Sequence, residues 1–295
     1  MYVDQLFALR SGVFRLPDGQ PARFKAHELG ELHIRSGIAA VCDPLLLQTP
    51  GMINVPAGDH RVVATIAHVP ESYDYSLSRS AYLSLVISDE PTVSVAPAQF
   101  LQTGLDAGTR AIAGVSGLPD LRGIPSSDMS SVAITDAEAI APGLPADPAT
   151  WFDSVISPSD ASGWFDRMDT EIDGPLGSLI TPLPMASNGE NIAMLIARPD
   201  RVFPVLETRD AQGEITGIHI DLLVIGQISE VLKAFDVQDD IAMEFAEFEE
   251  RGSQKPRGLL SRLKSIFSAD PAAIRQQRYQ APHALGKGTY ANTKV

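Results

Sequence analysis

Short apolar runs rich in β-branched residues, each soon stopped by Pro, Gly, Asp or Ser, fill two stretches of this chain. HRVVATIAHV (His60–Val69), AYLSLVIS (Ala81–Ser88) and TVSVAP (Thr92–Pro97) make the first group. NIAMLIA (Asn191–Ala197), RVFPVLETRD (Arg201–Asp210) and EITGIHIDLLVIG (Glu214–Gly226) make the second. Such runs are of strand length, and TVSVA alternates as a half-buried strand should. GELHIRSGIAAVCDP (Gly30–Pro44) adds two short runs around Ser36–Gly37. PAGDH (Pro56–His60) and SDEPT (Ser88–Thr92) read as turns, and Arg209–Gly213 as a hairpin connection in which Gly213 supplies a positive φ. The 23 Gly and 22 Pro among 295 residues favour many turns over long helices.

Between these groups the pattern thins. Gly104–Thr150 is dense in Gly, Pro, Ser and Ala, with one strand expected at SVAIT (Ser131–Thr135). It is either one long ordered loop or a set of small turns. DPATWFDSVI (Asp147–Ile156) opens with a helix-entry pair, so Trp151–Asp169 should hold one or two short helices. ISEVLKAF (Ile228–Phe235) and DDIAMEFAEFEER (Asp239–Arg251) also read as helices. The expected fold is mostly β (α+β): an antiparallel β-sandwich-like core over 1–226, acidic helices over 227–251, and a flexible basic tail over 252–295.

Charge divides along the same lines. Arg251–Val295 carries nine Lys or Arg and one acid, whereas Met1–Glu250 carries 14 basic and 36 acidic residues, a net of about −22. An acidic body attracts cationic partners and repels phosphate, so nucleic acid is not expected to bind it. The tail holds an amphipathic stripe over 258–268. Leu259, Leu260, Leu263, Ile266 and Phe267 fall at helical spacing, with Arg262 and Lys264 opposite. About three turns are marginal alone, so this stripe needs a surface: its own body, a second copy, a larger assembly or, less favoured, an anionic membrane.

Several functions find no support. Cys42 is the single cysteine, which rules out an intramolecular disulfide and a cysteine-based zinc site. No metal or other cofactor is expected. Serine-hydrolase, zincin, P-loop and dinucleotide fingerprints are missing from the sequence. The N-terminal stretch lacks the basic n-region of a signal peptide, and no apolar run approaches the ~18 residues of a membrane span, so a cytoplasmic location is expected.

Five segments together resemble a bacterial domain-of-unknown-function family, number 4241. They are SGIAAVCDPL (Ser36–Leu45), VPAGDHRVVATIA (Val55–Ala67), YLSLVISDEPTVSVAPA (Tyr82–Ala98), GLDAGTRA (Gly104–Ala111) and FPVLETRDAQGEITGIHIDLLV (Phe203–Val224). They follow the family's order over roughly 31–226. The resemblance implies a shared fold. It also implies that part of any family site is lost, because ARPDRVFP (Ala197–Pro204) lacks a glycine-rich turn and Arg110–Ala111 stand where a cysteine or aromatic tends to follow.

Candidate chemistry is sparse. Asp43 and Asp106 each lie beside Pro or Gly-Thr, where an Asp usually accepts from nearby backbone amides. His219 and Asp221, two apart on a strand, share one face; Ile218, Ile220 and Leu222 take the other, which should be the buried one. Asp239, Asp240, Glu244, Glu247 and Glu250, interleaved with Phe245 and Phe248, suit a docking surface. Three readings follow. The leading one is a binding protein whose acidic body captures a basic protein, most concretely an immunity protein against a cationic bacterial toxin. The second is a divalent-metal-assisted hydrolase using Asp43, Asp106, His219 and Asp221. The third is a scaffold component docked through its basic tail.

Overall fold

Apolar runs reveal only the end of the longest described strand, Pro21–Ile34, whose middle reads Lys-Ala-His-Glu. The computed structural model describes residues 3–225 except 17–18, 20, 69–78, 114–117, 119, 128–130, 146, 148–149, 161, 171–174 and 199–200. All of these lie in one unit, Met1–Ala246. The acidic helices expected after Gly226 lie outside the described residues, as does the tail with its stripe at 258–268.

The described strands, in chain order, are β1 (Gly12–Arg15), β2 (Pro21–Ile34), β3 (Ile38–Cys42), β4 (Gly51–Asn54), β5 (Gly58–His68), β6 (Arg79–Val86) and β7 (Ser94–Pro97). They continue with β8 (Arg110–Ala111), β9 (Arg122–Pro125), β10 (Ser131–Asp136), β11 (Ser178–Pro182), β12 (Asn191–Ile196), β13 (Val202–Arg209) and β14 (Ile215–Asp221). They form two sheets. The larger runs β1-β2-β5-β6-β14-β13-β9-β8 with β7 also on β13; the smaller runs β11-β12-β10-β3-β4. Pairing throughout is antiparallel, as between β13 and β14, whose connection turns at Gly213 with φ +85°. Short helical segments at Phe152–Ile156 and Trp164–Met168 fill the stretch expected to be helical.

A bulge in β2 explains why its apolar pattern is hard to read. Phe24 and Ala26 pair with Ala67 and Thr65, but the register shifts between Glu28 and Gly30, so Leu32 pairs with His60. Paired residues share a face, so even-numbered side chains serve one face of the sheet before the bulge and the other after it. Ahead of the bulge Phe24 stacks on Phe7, with ring centroids 5.1 Å apart, in a cover built by the N-terminal segment. Beyond it Leu32 and Ile34 are fully buried in a core that also takes Val41, Ile134 and Leu195 from the smaller sheet.

The smaller sheet is buried on its second face as well. Cys42, Ala133 and Met194 pair across β3, β10 and β12 and pack with Trp151 and Trp164, which meet edge-to-face at 5.0 Å. Trp151 Nε1 donates to the Pro44 carbonyl at 3.1 Å and ties this layer to the end of β3. Each large side chain buried in these cores contributes roughly 1.5–3 kcal/mol.

Candidate functional site

Asp43 follows the last residue of β3 and precedes a tight turn, Pro44–Leu46, whose proline fixes the chain direction. One carboxylate oxygen accepts from Leu45 N at 2.8 Å. The other accepts from Ser127 N at 2.7 Å and Ser127 Oγ at 2.8 Å. Asp43 is fully buried, and these donors make it a brace between β3 and the end of β9. Beside it lies a cleft of about 170 Å³ lined by Cys42, Asp43, Thr49, Leu105, Thr109 and Arg110, among others. Burial, with the Asp43 charge second, pushes the Cys42 thiol up and keeps it protonated. Gly108 lets the 104–109 loop lie against the 49–50 backbone: its φ is +60°, and a Cβ there would sit 1.7 Å from the Thr49 carbonyl oxygen. Two of the family-like segments, Ser36–Leu45 and Gly104–Ala111, thus meet at one place. Asp106 is exposed and does not line the cleft.

His219 is not on a wet face. It is 1% exposed, because β14 is an interior strand, paired with β6 on one side and β13 on the other, and both of its faces are covered. Its Nδ1 meets Ser84 Oγ at 2.9 Å and its Nε2 meets Thr208 Oγ1 at 3.1 Å. Desolvation holds the imidazole down to about 4, so it is neutral at neutral pH. Thr208, His219 and Ser84 stand in the order nucleophile, base and orienter. A base that resists charging this strongly is suited to fixing hydroxyls, not to taking their protons.

Asp221 accepts from Leu223 N at 2.8 Å, and burial raises its carboxyl to about 6. Both ring nitrogens of His219 and the carboxylate of Asp43 are therefore engaged with other partners, and the four proposed hydrolase residues are not assembled. Among the described residues no group of three or more His, Cys, Asp or Glu is placed to hold a metal ion.

The His219 hydroxyl chain continues outward. Thr216 Oγ1 donates to Thr208 Oγ1 at 2.8 Å, and Thr92 Oγ1 meets Thr216 Oγ1 at 3.0 Å. Thr92, Thr208 and Thr216 line a second cleft of about 380 Å³ on the face of the larger sheet. Its floor includes Leu9, Ala26, Val63 and Val86; its charged lining is Glu28, Arg61, Asp89 and Glu90. Arg61 pairs with Asp89, and more loosely with Glu28 at 3.7 Å. The side chains of Asp89 and Glu28 are 85% and 57% exposed, so these pairs are wet and each contributes at most about 1 kcal/mol.

None of these cleft residues stood out in the sequence. Ser88–Thr92 signalled only a turn, and Glu28 and Arg61 are brought together by strand register. The docking residues expected at Asp239, Asp240, Glu244, Phe245, Glu247, Phe248 and Glu250 lie outside the described residues. No helix among the described residues is long and apolar enough to cross a membrane. What the fold and clefts define is a two-sheet antiparallel β protein with an acid-rimmed cleft on its larger sheet. No family model, curated protein or solved structure matches the chain.

Proposed function

We propose that this chain is a binding protein whose acidic body captures a basic protein partner. Its most concrete form is a cytoplasmic immunity protein that neutralises a cationic bacterial toxin. The observation that carries the reading is the charge division, 36 acids against 14 bases over 1–250. It recurs locally in the second cleft, where three carboxylates face one guanidinium. Fields of one sign steer association of the opposite sign, and pairs as exposed as Arg61–Glu28 exchange readily with an incoming cation. In this reading the two sheets form a sandwich and the chain is a member of family 4241. Cores shared between the sheets support the first, and the meeting of two family-like segments beside Asp43 supports the second.

The test is to recover the protein that co-purifies with the chain from its host and measure its association rate against ionic strength. A basic partner whose rate falls at least about tenfold from low to physiological salt, and whose toxicity co-expression relieves, supports the reading. A partner bound at a salt-independent rate overturns it.

A further inference from the structure

The second cleft offers hydrogen-bond acceptors on one side and apolar surface on the other, and the direction of its hydroxyl chain follows from counting protons. A hydroxyl has one hydrogen to donate. Thr216 gives its own to Thr208 at 2.8 Å, so across the 3.0 Å contact with Thr92 it accepts. Thr92 therefore points its only hydrogen inward and presents lone pairs outward. Either tautomer of His219 leaves this unchanged. In one, Thr208 donates to Nε2 at 3.1 Å; in the other it accepts there and turns its hydrogen to the Gly217 carbonyl at 3.4 Å.

The carboxylates of the lining have the same character. Glu28, Asp89 and Glu90 are acceptors, while the hydroxyl of Ser88 accepts from Glu90 N at 3.4 Å and keeps one hydrogen to donate. The guanidinium of Arg61 is a donor group already seated among these carboxylates, and it shows the chemistry the lining takes. Leu9 stands in the lining at φ +65° and 40% exposed, an apolar surface left open to solvent. The 380 Å³ of space beside Arg61 equals about a dozen waters at ~30 Å³ each, room for one long side chain with water around it.

We infer that this cleft seats one lysine or arginine side chain of the basic partner, its aliphatic stem across Leu9, Val63 and Val86 and its charged head among Glu28, Asp89 and Glu90. Thr92 accepts one further hydrogen bond from the same head. A long cationic side chain matches both halves of the cleft, since its stem is apolar and its head only donates. This rests on the reading of the chain as a binder of a basic protein and names where on its surface one contact is made.

The experiment titrates the full-length, isotope-labelled chain with three blocked tripeptides, acetyl-Gly-Lys-Gly-amide, acetyl-Gly-Arg-Gly-amide and the uncharged norleucine analogue, and follows backbone amide shifts. The expected result is saturable binding of the two cationic peptides only, with shifts centred on residues 26–28, 61–63 and 86–92. Affinity should fall at least about fivefold in E28Q/D89N/E90Q and less than about twofold in E138Q/D153N/E214Q, which removes the same charge from exposed sites elsewhere. Thr92→Val should give a smaller loss than the cleft triple. Equal losses in the two triple variants, shifts centred elsewhere, or tight binding of the norleucine peptide overturn the inference. The wider reading then still stands if the co-purified partner associates in a salt-dependent way. A salt-independent partner sinks that reading whatever the peptides do.

Discussion

The two clefts of this protein use carboxylates in opposite ways. At Asp43 the carboxylate is fully buried and both oxygens are held by amides and a serine hydroxyl. Its charge is spent on joining the end of β3 to the chain beyond β9. At Glu28 and Asp89 the carboxylates are mostly exposed, and among the described residues their charged partner is Arg61. Satisfaction of a buried charge fixes a fold, whereas an exposed and cheaply exchanged pair leaves charge for a partner. An Asp beside a proline is thus the more conspicuous in sequence and the less available in the folded protein.

That contrast is open to measurement, beginning with the strongest expected effect. Gly108→Val should cost about 4 kcal/mol or more, because φ +60° and the Thr49 carbonyl 1.7 Å from any Cβ leave no room. Urea unfolding checks it, and a loss under about 1 kcal/mol would mean the 104–109 loop is not held against the 49–50 backbone. The next effect is a pH dependence. His219 is held near 4 against an ordinary 6.5, so the unfolded chain takes up the proton first. Its contribution is fully present above pH 6.5 and drains as pH falls toward 4, by on the order of 3 kcal/mol. His68, also held down to about 4 by burial and neighbouring cations, acts in the same direction. Asp221 opposes them: raised to about 6 from 3.8, it is protonated first in the folded chain, so stability grows as pH falls through that window. Melting curves of His219→Gln should lose much of the acid destabilisation, and those of Asp221→Asn should steepen it; identical profiles in all three proteins would contradict the assigned burial.

Smaller effects separate the clefts directly. Asp43→Ala should cost about 2 kcal/mol by orphaning the Leu45 and Ser127 donors, while leaving binding of a lysine peptide unchanged. E28Q/D89N/E90Q should do the reverse, shifting stability by less than about 0.5 kcal/mol while weakening the peptide. If Asp43→Ala weakens the peptide more than the triple variant does, the roles of the two clefts are exchanged.

Much of the architecture was legible in the sequence. The β-branched runs from His60 and Ala81 became β5 and β6, those from Asn191, Arg201 and Glu214 became β12, β13 and β14, and Gly213 turns the hairpin as expected. Ser131–Thr135 became β10, and Trp151–Asp169 yielded short helical turns. The first part of β2 escaped, and only its end up to Ile34 read as a run, because the bulge switches the buried face partway along, which breaks the period of two. β8 and β9, short and set among Gly and Pro, carry too few residues for any period. His219 was misplaced for a related reason: alternation separates two faces but does not say whether the second is wet.

The sequence by itself determined the β-rich class, the turn positions and the division of charge, because these depend on local stereochemistry and on composition. Only the tertiary structure decided which acids are spent and which are offered. Register sets Glu28 opposite Val63, two residues from Arg61, and the turn after β6 brings Asp89 to the same guanidinium. The order β6-β14-β13 brings Ser84, His219 and Thr208 into one chain. The Ser84–His219 hydrogen bond joins residues 135 positions apart, and no local pattern encodes it.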